Sequence, residues 1–96
     1  MIYEWDPKKA KGNLRKHAVS FEEAATVFLD PIALTFPDPD HSDEERREIT
    51  IGRSARQRVL FLSHTRRGER TRLISGRKAT KRERKQYEES SAEEKQ

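Results

Sequence analysis

The chain has no cysteine, and that absence removes a disulfide framework, a zinc–thiolate site, an iron–sulfur cluster and a cysteine nucleophile together. A reducing compartment is thereby permitted. Long apolar runs are missing too. The longest is Val59 to Leu62, too short to span a bilayer, and residues 1–20 lack the apolar stretch of a secretory signal. A cytoplasmic location with no membrane partner is therefore expected. Hydrophobic residues fill 31% of the 96 positions, below the roughly 45–50% usual in globular chains, a share that also counts Gly. Such a chain builds one modest core and must leave some segments outside it. The four glycines are scattered, so G-x-G-x-x-G and G-x-x-x-x-G-K are absent, as is H-E-x-x-H. Nucleotide and zincin readings fail with them. Asp38, Asp40 and Asp43 are spaced somewhat like a calcium loop, but Pro39 and the missing glycine and bidentate glutamate spoil the pattern. An acidic, solvated loop over residues 38–45 is the expectation, with no metal and no cofactor.

Charge, by contrast, is abundant at 40% of residues, and its distribution says more than the net value of +4. Residues 1–45 sum to −5, residues 46–87 to +12 and residues 88–96 to −3. Like charges packed this densely repel one another as the chain compacts, so the middle block is either a solvated surface or the binding face for a polyanion. The second reading is favoured.

Periodicity outlines the fold. A short strand at Ile2 to Trp5 meets Asp6-Pro7, an N-cap followed by proline at the first helical position, and a helix is predicted over 7–17 with Ala10, Leu14 and His17 as its thin buried stripe. Ser20 and Glu23 form a capping box for a second helix, whose face is Phe21, Ala24, Ala25 and Phe28 and whose stop is Asp30-Pro31. From Ile32 the period changes to two. Strands are predicted over 32–36, 48–53, 59–65 and 71–77, the last three as an antiparallel meander with a turn at Arg67-Gly68-Glu69. Thr80 and Glu83 form a second capping box for a last helix reaching about Glu89. The fold class is α+β: a small single domain over 1–89, helices packed on a curved antiparallel sheet in the order strand, two helices, four strands, helix, with 90–96 as a polar tail. The last helix carries Lys81 and Arg82 in its first turn, where the helix dipole disfavours cations. Either a bound anion relieves that strain or the capping box and surface ion pairs hold an ordinary helix.

Strict alternation places Leu60, Leu62, His64 and Arg66 on one side of their strand. In the next strand it separates Arg72, Ile74 and Gly76 from Leu73, Ser75 and Arg77. Because the strands pair, His64, Arg66, Arg67, Arg72, Arg77 and Lys78 are expected to converge at the rim of the sheet. Such a group suits metal-free RNA cleavage. That reaction needs a base for the ribose 2′-hydroxyl, cations for the charge growing on the phosphate, and an acid for the leaving 5′-oxygen. Guanidinium forks match phosphate oxygens, and His64 is the side chain there whose ordinary pKa, about 6.5, lies near neutrality, with neighbouring arginines favouring its neutral form. The alternative for His64 is a strand-closing role. His17 is read as partial packing and His41 as part of the loop.

The blocks Y-E-W-D-P-K-K-A, N-L-R-K-H-A-V-S-F-E-E-A, V-F-L-D-P, E-R-R-E-I-T-I-G and R-L-I-S-G-R-K-A-T-K-R-E-R-K-Q-Y-E stand in an order and spacing that resembles the BrnT toxin family of bacterial type II toxin–antitoxin systems, over residues 2–88. The resemblance implies a RelE-like fold, RNA cleavage that arrests translation, and neutralisation by a BrnA-type antitoxin with a ribbon-helix-helix DNA-binding domain. It also implies that promoter DNA is reached only through the toxin–antitoxin complex. Carried onto this chain, it points to Arg67, Arg72, Arg77 and Lys78, with His64 weakened as a required base, because RelE-like toxins tend to use arginine, lysine and tyrosine. The RNA-binding set is Arg46, Arg47, Arg53, Lys81, Arg82 and Tyr87. Gly76 stands where the family more often has a small residue such as alanine. A leading role falls to Arg77 and Arg67 at the scissile phosphate, with Arg72 in support and Lys78 or His64 moving protons. The alternative is a non-catalytic protein whose basic face binds nucleic acid or docks an antitoxin.

Overall fold

Asp6 and Ser20 open the first two helices. The computed structural model describes residues 2–40 and 46–94, with side chains through residue 90; His41, Asp43 and the rest of the expected loop beyond Asp40 lie outside the described residues. Strand β1 (Ile2–Glu4) leads to helix α1 (Pro7–His17), where the Asp6 carboxylate accepts the Lys8 amide at 2.8 Å. Helix α1 closes on Ala18, whose left-handed backbone (φ 56°) lets its N–H reach the Leu14 carbonyl. Ser20 Oγ then accepts the Glu23 amide at 3.0 Å to cap helix α2 (Phe21–Thr26), and a 3₁₀ turn, Val27–Leu29, leads to Asp30.

The Glu23 carboxylate, expected to reach back to the cap, is drawn elsewhere. It accepts Ser54 Oγ at 2.7 Å and Arg58 Nε at 2.9 Å, and Arg58 Nη2 grips its other oxygen. A carboxylate this buried needs a cation more than it needs the cap, so the loop between the third and fourth strands is tied to α2. Arg58 holds the Glu23 carboxyl below its usual pKa against the opposing effect of burial, and Ser54 adds to the shift.

Strands β2 (Leu34–Pro37), β3 (Arg47–Arg53), β4 (Val59–Arg67) and β5 (Arg70–Lys78) precede helix α3 (Lys81–Glu94). Strand β2 starts two residues later than predicted, because the Asp30 carboxylate accepts the Ile32 amide at 3.0 Å and holds the chain in a turn. Helix α3 runs five residues past its expected end, where Ala92, Glu93 and Glu94 are good helix formers. The sheet order is β1-β5-β4-β3-β2. β2 to β5 are antiparallel, whereas β1 adds a parallel edge beside β5. The β4–β5 turn is Gly68-Glu69, with Gly68 at φ +60°, the conformation a two-residue hairpin requires at that position.

Each face of the sheet carries its own core. On the first face, α1 and α2 cover Leu60, Leu62 and Leu73 with Val19, Phe21, Ala24 and Val27. On the second, Ile49, Ile51 and Val59 pack with Tyr87 of α3. The buried stripe of α1 differs from the one predicted: Leu14 is 53% exposed and Asn13 takes its place at 7%. The Asn13 amide donates to the carbonyls of Val19 at 2.9 Å and Gly76 at 2.8 Å, and accepts the Gly76 amide at 3.1 Å. β1 pairs only with Arg70 to Arg72, so β5 has no strand beside Gly76 on that edge, and a side-chain amide completes the ladder there. Space is tight there as well, since a Cβ at residue 76 would lie 3.1 Å from Leu62 Cδ2.

Candidate functional site

A bulge in β5 decides which cations share a face. Ser63 pairs with Ser75 but His64 pairs with Leu73, so Ile74 is the extra residue and the alternation of β5 reverses across it. Arg72, opposite Thr65, therefore joins Ser75 and Arg77 on the second face, and Leu73 joins Gly76 on the first. This corrects the strict alternation expected from sequence, which divided Arg72 from Arg77. Thr65 also pairs with Arg47 of β3, so Arg47, Thr65 and Arg72 form one cross-strand row. Ile49, Ser63 and Ser75 form the next row, and Ile51, Phe61 and Arg77 the one after.

His64 does not belong to this group. It lies on the first face with 5% exposure, its Nε2 2.7 Å from Thr50 Oγ1 and its ring edge-on to Phe28 at 5.0 Å between centroids. Thr50 in turn meets the exposed Thr35 at 2.8 Å, so the imidazole is the buried end of a short hydrogen-bonded chain that leads to the surface. Burial lowers its pKa, with Glu48 opposing, so the neutral form owes nothing to arginines. The predicted convergence of an imidazole with the cationic heads is thus corrected: one residue of alternation sends His64 into the core. Arg67 and Arg77 are separated as well. Arg67 pairs with Arg70 at the hairpin end, six residues along β4 from the Phe61–Arg77 pair, about 20 Å at ~3.3 Å per residue. One phosphate does not bridge that span.

Arg77 is the most elaborately held cation. Its guanidinium lies 4.1 Å from the centre of the Phe61 ring, and its two terminal nitrogens donate to the two Glu83 oxygens at 2.8 and 3.0 Å. Nη1 also donates to the Lys78 carbonyl at 3.3 Å. Of five N–H donors, this leaves the Nε–H and one Nη2–H, adjacent on one edge of the plane and without a partner among the described residues. That edge is a fork shaped for two oxygens of one anion. Glu83 is itself fixed, since Oε1 accepts the Thr80 amide at 2.9 Å while Thr80 Oγ1 accepts the Glu83 amide at 3.2 Å. Burial would raise the Glu83 pKa, but Arg77 and the Thr80 amide outweigh it and the carboxyl titrates below its usual range.

The other expected residues are spread widely. Arg72 sits 3.6 Å from Glu4 on β1. Arg46, Arg66, Arg67 and Arg70 are exposed around the hairpin end of the sheet, and the Arg66 Nε donates to the Gly68 carbonyl at 3.3 Å. Lys78 is exposed at the end of β5, on the first face by alternation, and Lys81 and Arg82 are exposed on the first turn of α3. Arg53 reaches the Gln57 carbonyl at 3.2 Å beyond the far end of the sheet. Tyr87 is buried at 3% exposure and donates to Asp30 Oδ2 at 2.6 Å. Burial and that hydrogen bond push its pKa up to about 12. An RNA-facing position for Tyr87 is therefore corrected to a core one: it is the anchor that lets an otherwise polar helix dock. Sequence reasoning saw Glu83 only as a cap and passed over Ser63, Ser75 and Phe61, since nothing in the pattern marked the bulge that sets them beside the arginines.

A pocket of about 470 Å³ lies on the second face between Arg47 and Arg77, and Arg47 also borders a second one of about 450 Å³ with Arg46 and Arg66. Asp38, expected in a solvated loop, is buried at the rim of the first, its Oδ1 accepting the Asp40 amide at 3.0 Å. Among the described residues no group of acidic and histidine side chains could hold a metal ion, and no helix is long and apolar enough to cross a membrane.

The chain is a five-stranded α+β domain with arginines arrayed across one face of its sheet, a surface whose charge suits a polyanion. The family model for "Ribonuclease toxin, BrnT, of type II toxin-antitoxin system" matches residues 5–83, and the chain belongs to that family. The crystal structure of the Brucella abortus ribonuclease toxin BrnT is similar in fold, with a TM-score of 0.66 and 22% identity, covering 84% of this chain and all of that one. Among curated proteins, no sequence matches. As a type II toxin the chain implies an antitoxin partner.

Proposed function

We propose that this toxin is a metal-independent endoribonuclease that cleaves RNA by attack of a ribose 2′-hydroxyl on the neighbouring phosphate, arresting translation in the cytoplasm. The observation that carries the reading is the unused fork of Arg77, held in place by Glu83 and Phe61 on a face shared with Arg47 and Arg72. Such a fork, fixed before substrate arrives, binds two phosphate oxygens and stabilises the charge that grows on them without reorganising. Arg72 and Arg47 lie together two rows further along the same face, and the hairpin arginines with Lys81 and Arg82 steer and hold the strand beyond. Arg67, too far to share the Arg77 phosphate, joins that outer set. Of the two candidates for proton transfer, His64 is sealed, whereas Lys78 is exposed at the open end of β5 but starts from the opposite face, so it is retained as a side chain that must reach the Arg77 phosphate around the end of the strand. The domain is read as RelE-like. Its antitoxin is read as BrnA-type, with a ribbon-helix-helix domain, covering the same arginines and carrying the complex to promoter DNA.

A second reading, RNA binding without cleavage, is favoured by the burial of His64, which leaves the second face without an imidazole among the described residues. Incubating antitoxin-free protein with RNA in EDTA and analysing the new ends separates the two. Fragments ending in 2′,3′-cyclic phosphate, lost in Arg77→Ala, support the nuclease. Intact RNA, both free and on translating ribosomes, supports the binder.

A further inference from the structure

The pocket between Arg47 and Arg77 is floored by two hydroxyls that nothing else uses. Ser63 and Ser75 face each other across β4 and β5, and among the described residues neither side chain has a hydrogen-bond partner. Ser63 is 8% exposed, so it lies at the bottom of the concavity and not on its rim. Around the two hydroxyls the floor and one wall are apolar, formed by Ile49, Phe61, Ile74 and Phe36. The Arg47 guanidinium, also without a partner among the described residues, stands at one end, and Arg77 with its free fork at the other. Asp38 and Asp40 border the opening.

These features sort the chemistry of an occupant. A phosphate fits the ends, where the cations are, and is repelled from the middle, where carboxylates and apolar carbon lie. A flat, mostly apolar group with hydrogen-bonding edges fits the middle: its faces pack on Phe36 and the isoleucines, and its edge meets the hydroxyls and carboxylate oxygens. About 470 Å³ lies within the range of pockets that enclose small ligands. An unpaired nucleobase has this form, and its own backbone supplies phosphates on either side for Arg47 and Arg77.

We infer that this pocket is a nucleobase subsite, so that the toxin takes single-stranded RNA with one base turned into the sheet between two arginine-bound phosphates. The inference rests on the nuclease reading and adds selectivity to it. The bulge at Ile74 is what builds the subsite, because without it the hairpin register would carry Ser75 and Arg77 to the other face. Hydroxyls both donate and accept, so Ser63 and Ser75 discriminate among bases together with the acidic rim.

Four fluorescent RNA hexamers, fully 2′-O-methylated so that they survive cleavage and differing only in one central base, test it by anisotropy titration. A fifth carries an abasic centre. The wild-type protein is expected to spread its affinities about tenfold across the four bases. Ser63→Ala with Ser75→Ala should compress that spread to less than about threefold and leave the abasic affinity unchanged, because two unpartnered hydroxyls add little to folding. Arg66→Gln should weaken all five alike. Equal wild-type affinities, or a spread untouched by the serine changes, overturns the subsite while leaving the nuclease reading intact. A spread left intact while the serine variant loses hold of the antitoxin assigns the pocket to the protein partner and overturns it too. Failure of every hexamer to bind overturns the subsite, while the cleavage assay on free RNA and on translating ribosomes judges the nuclease reading separately.

Discussion

Asn13 of α1 pairs with both backbone groups of Gly76 on β5, sixty-three residues away in sequence. One side-chain amide does the work of the missing strand, and its second N–H bond, to Val19, fastens the turn between α1 and α2 to the same point. Three buried backbone groups therefore depend on one side chain. Asn13→Leu preserves size but leaves all three unpaired, each costing about 1–3 kcal/mol, so a loss of roughly 3 kcal/mol or more is expected. Leu14→Ala, one position along the helix, should stay within about 0.5 kcal/mol, because Leu14 is already in water. Urea unfolding of the two variants beside the parent decides it. Equal losses would mean that the amide is incidental and the hydrophobic stripe read from the sequence was right.

His64 should make folding sensitive to mild acid. Burial lowers its pKa in the folded chain below the ordinary 6.5, so as pH falls the unfolded chain takes up the proton first. The stabilisation is fully present above pH 6.5 and is lost progressively as pH drops from there towards the folded pKa, at up to about 1.4 kcal/mol per pH unit. His64→Gln should be less stable at pH 7.5, where the Thr50 bond and packing on Phe28 are lost, and should show a flatter decline to pH 5.5. Parallel curves for parent and variant would contradict the buried position.

Much of the architecture was legible because local chemistry and global fold agree. Asp6, Ser20 and Thr80 each cap the helix they announce, and Gly68 turns the hairpin that its dipeptide signals. What escaped is non-local. The α1 stripe was misplaced because Asn13 is buried by partners that only the tertiary fold supplies. The site was misread for a similar reason: a single bulge at Ile74 reverses the facing of half a strand, and period-two reasoning has no means of seeing one extra residue. Tyr87 was carried over as an RNA contact from the family resemblance, whereas its hydroxyl is spoken for by Asp30, fifty-seven residues earlier.

Glu83 acts on the proposed reaction through Arg77. Arg77→Lys keeps the charge but cannot hold Glu83 and a phosphate with two parallel pairs, so cleavage should fall at least about 100-fold with little change in RNA affinity. Glu83→Gln keeps one acceptor and the helix cap, and its loss should be intermediate, about tenfold, carried in kcat and not KM. Glu83→Ala should fall to the Arg77→Lys level. Single-turnover cleavage of one RNA oligonucleotide measures all three. If Glu83→Gln cleaves faster than the parent, the carboxylate is a brake on Arg77 and the positioning account is wrong.

The hairpin arginines are expected to behave differently from Arg77, because in the proposed complex they meet RNA by charge alone. Arg66, Arg67 and Arg70 lie exposed at the end of the sheet beyond the Arg47–Thr65–Arg72 row. Each phosphate contact to single-stranded nucleic acid releases counterions and contributes about 0.7 to the slope of log affinity against log salt. Arg66→Gln and Arg70→Gln should each lower that slope by up to about 0.7, weaken binding of every sequence in the same proportion, and leave the cleavage rate at saturating RNA near the parental value. Titrations between 50 and 300 mM salt, about the range over which such contacts are lost, supply the slopes. A variant that kept the parental slope yet lost cleavage would move the reacting phosphate from Arg77 to the hairpin end, and with it the centre of the site.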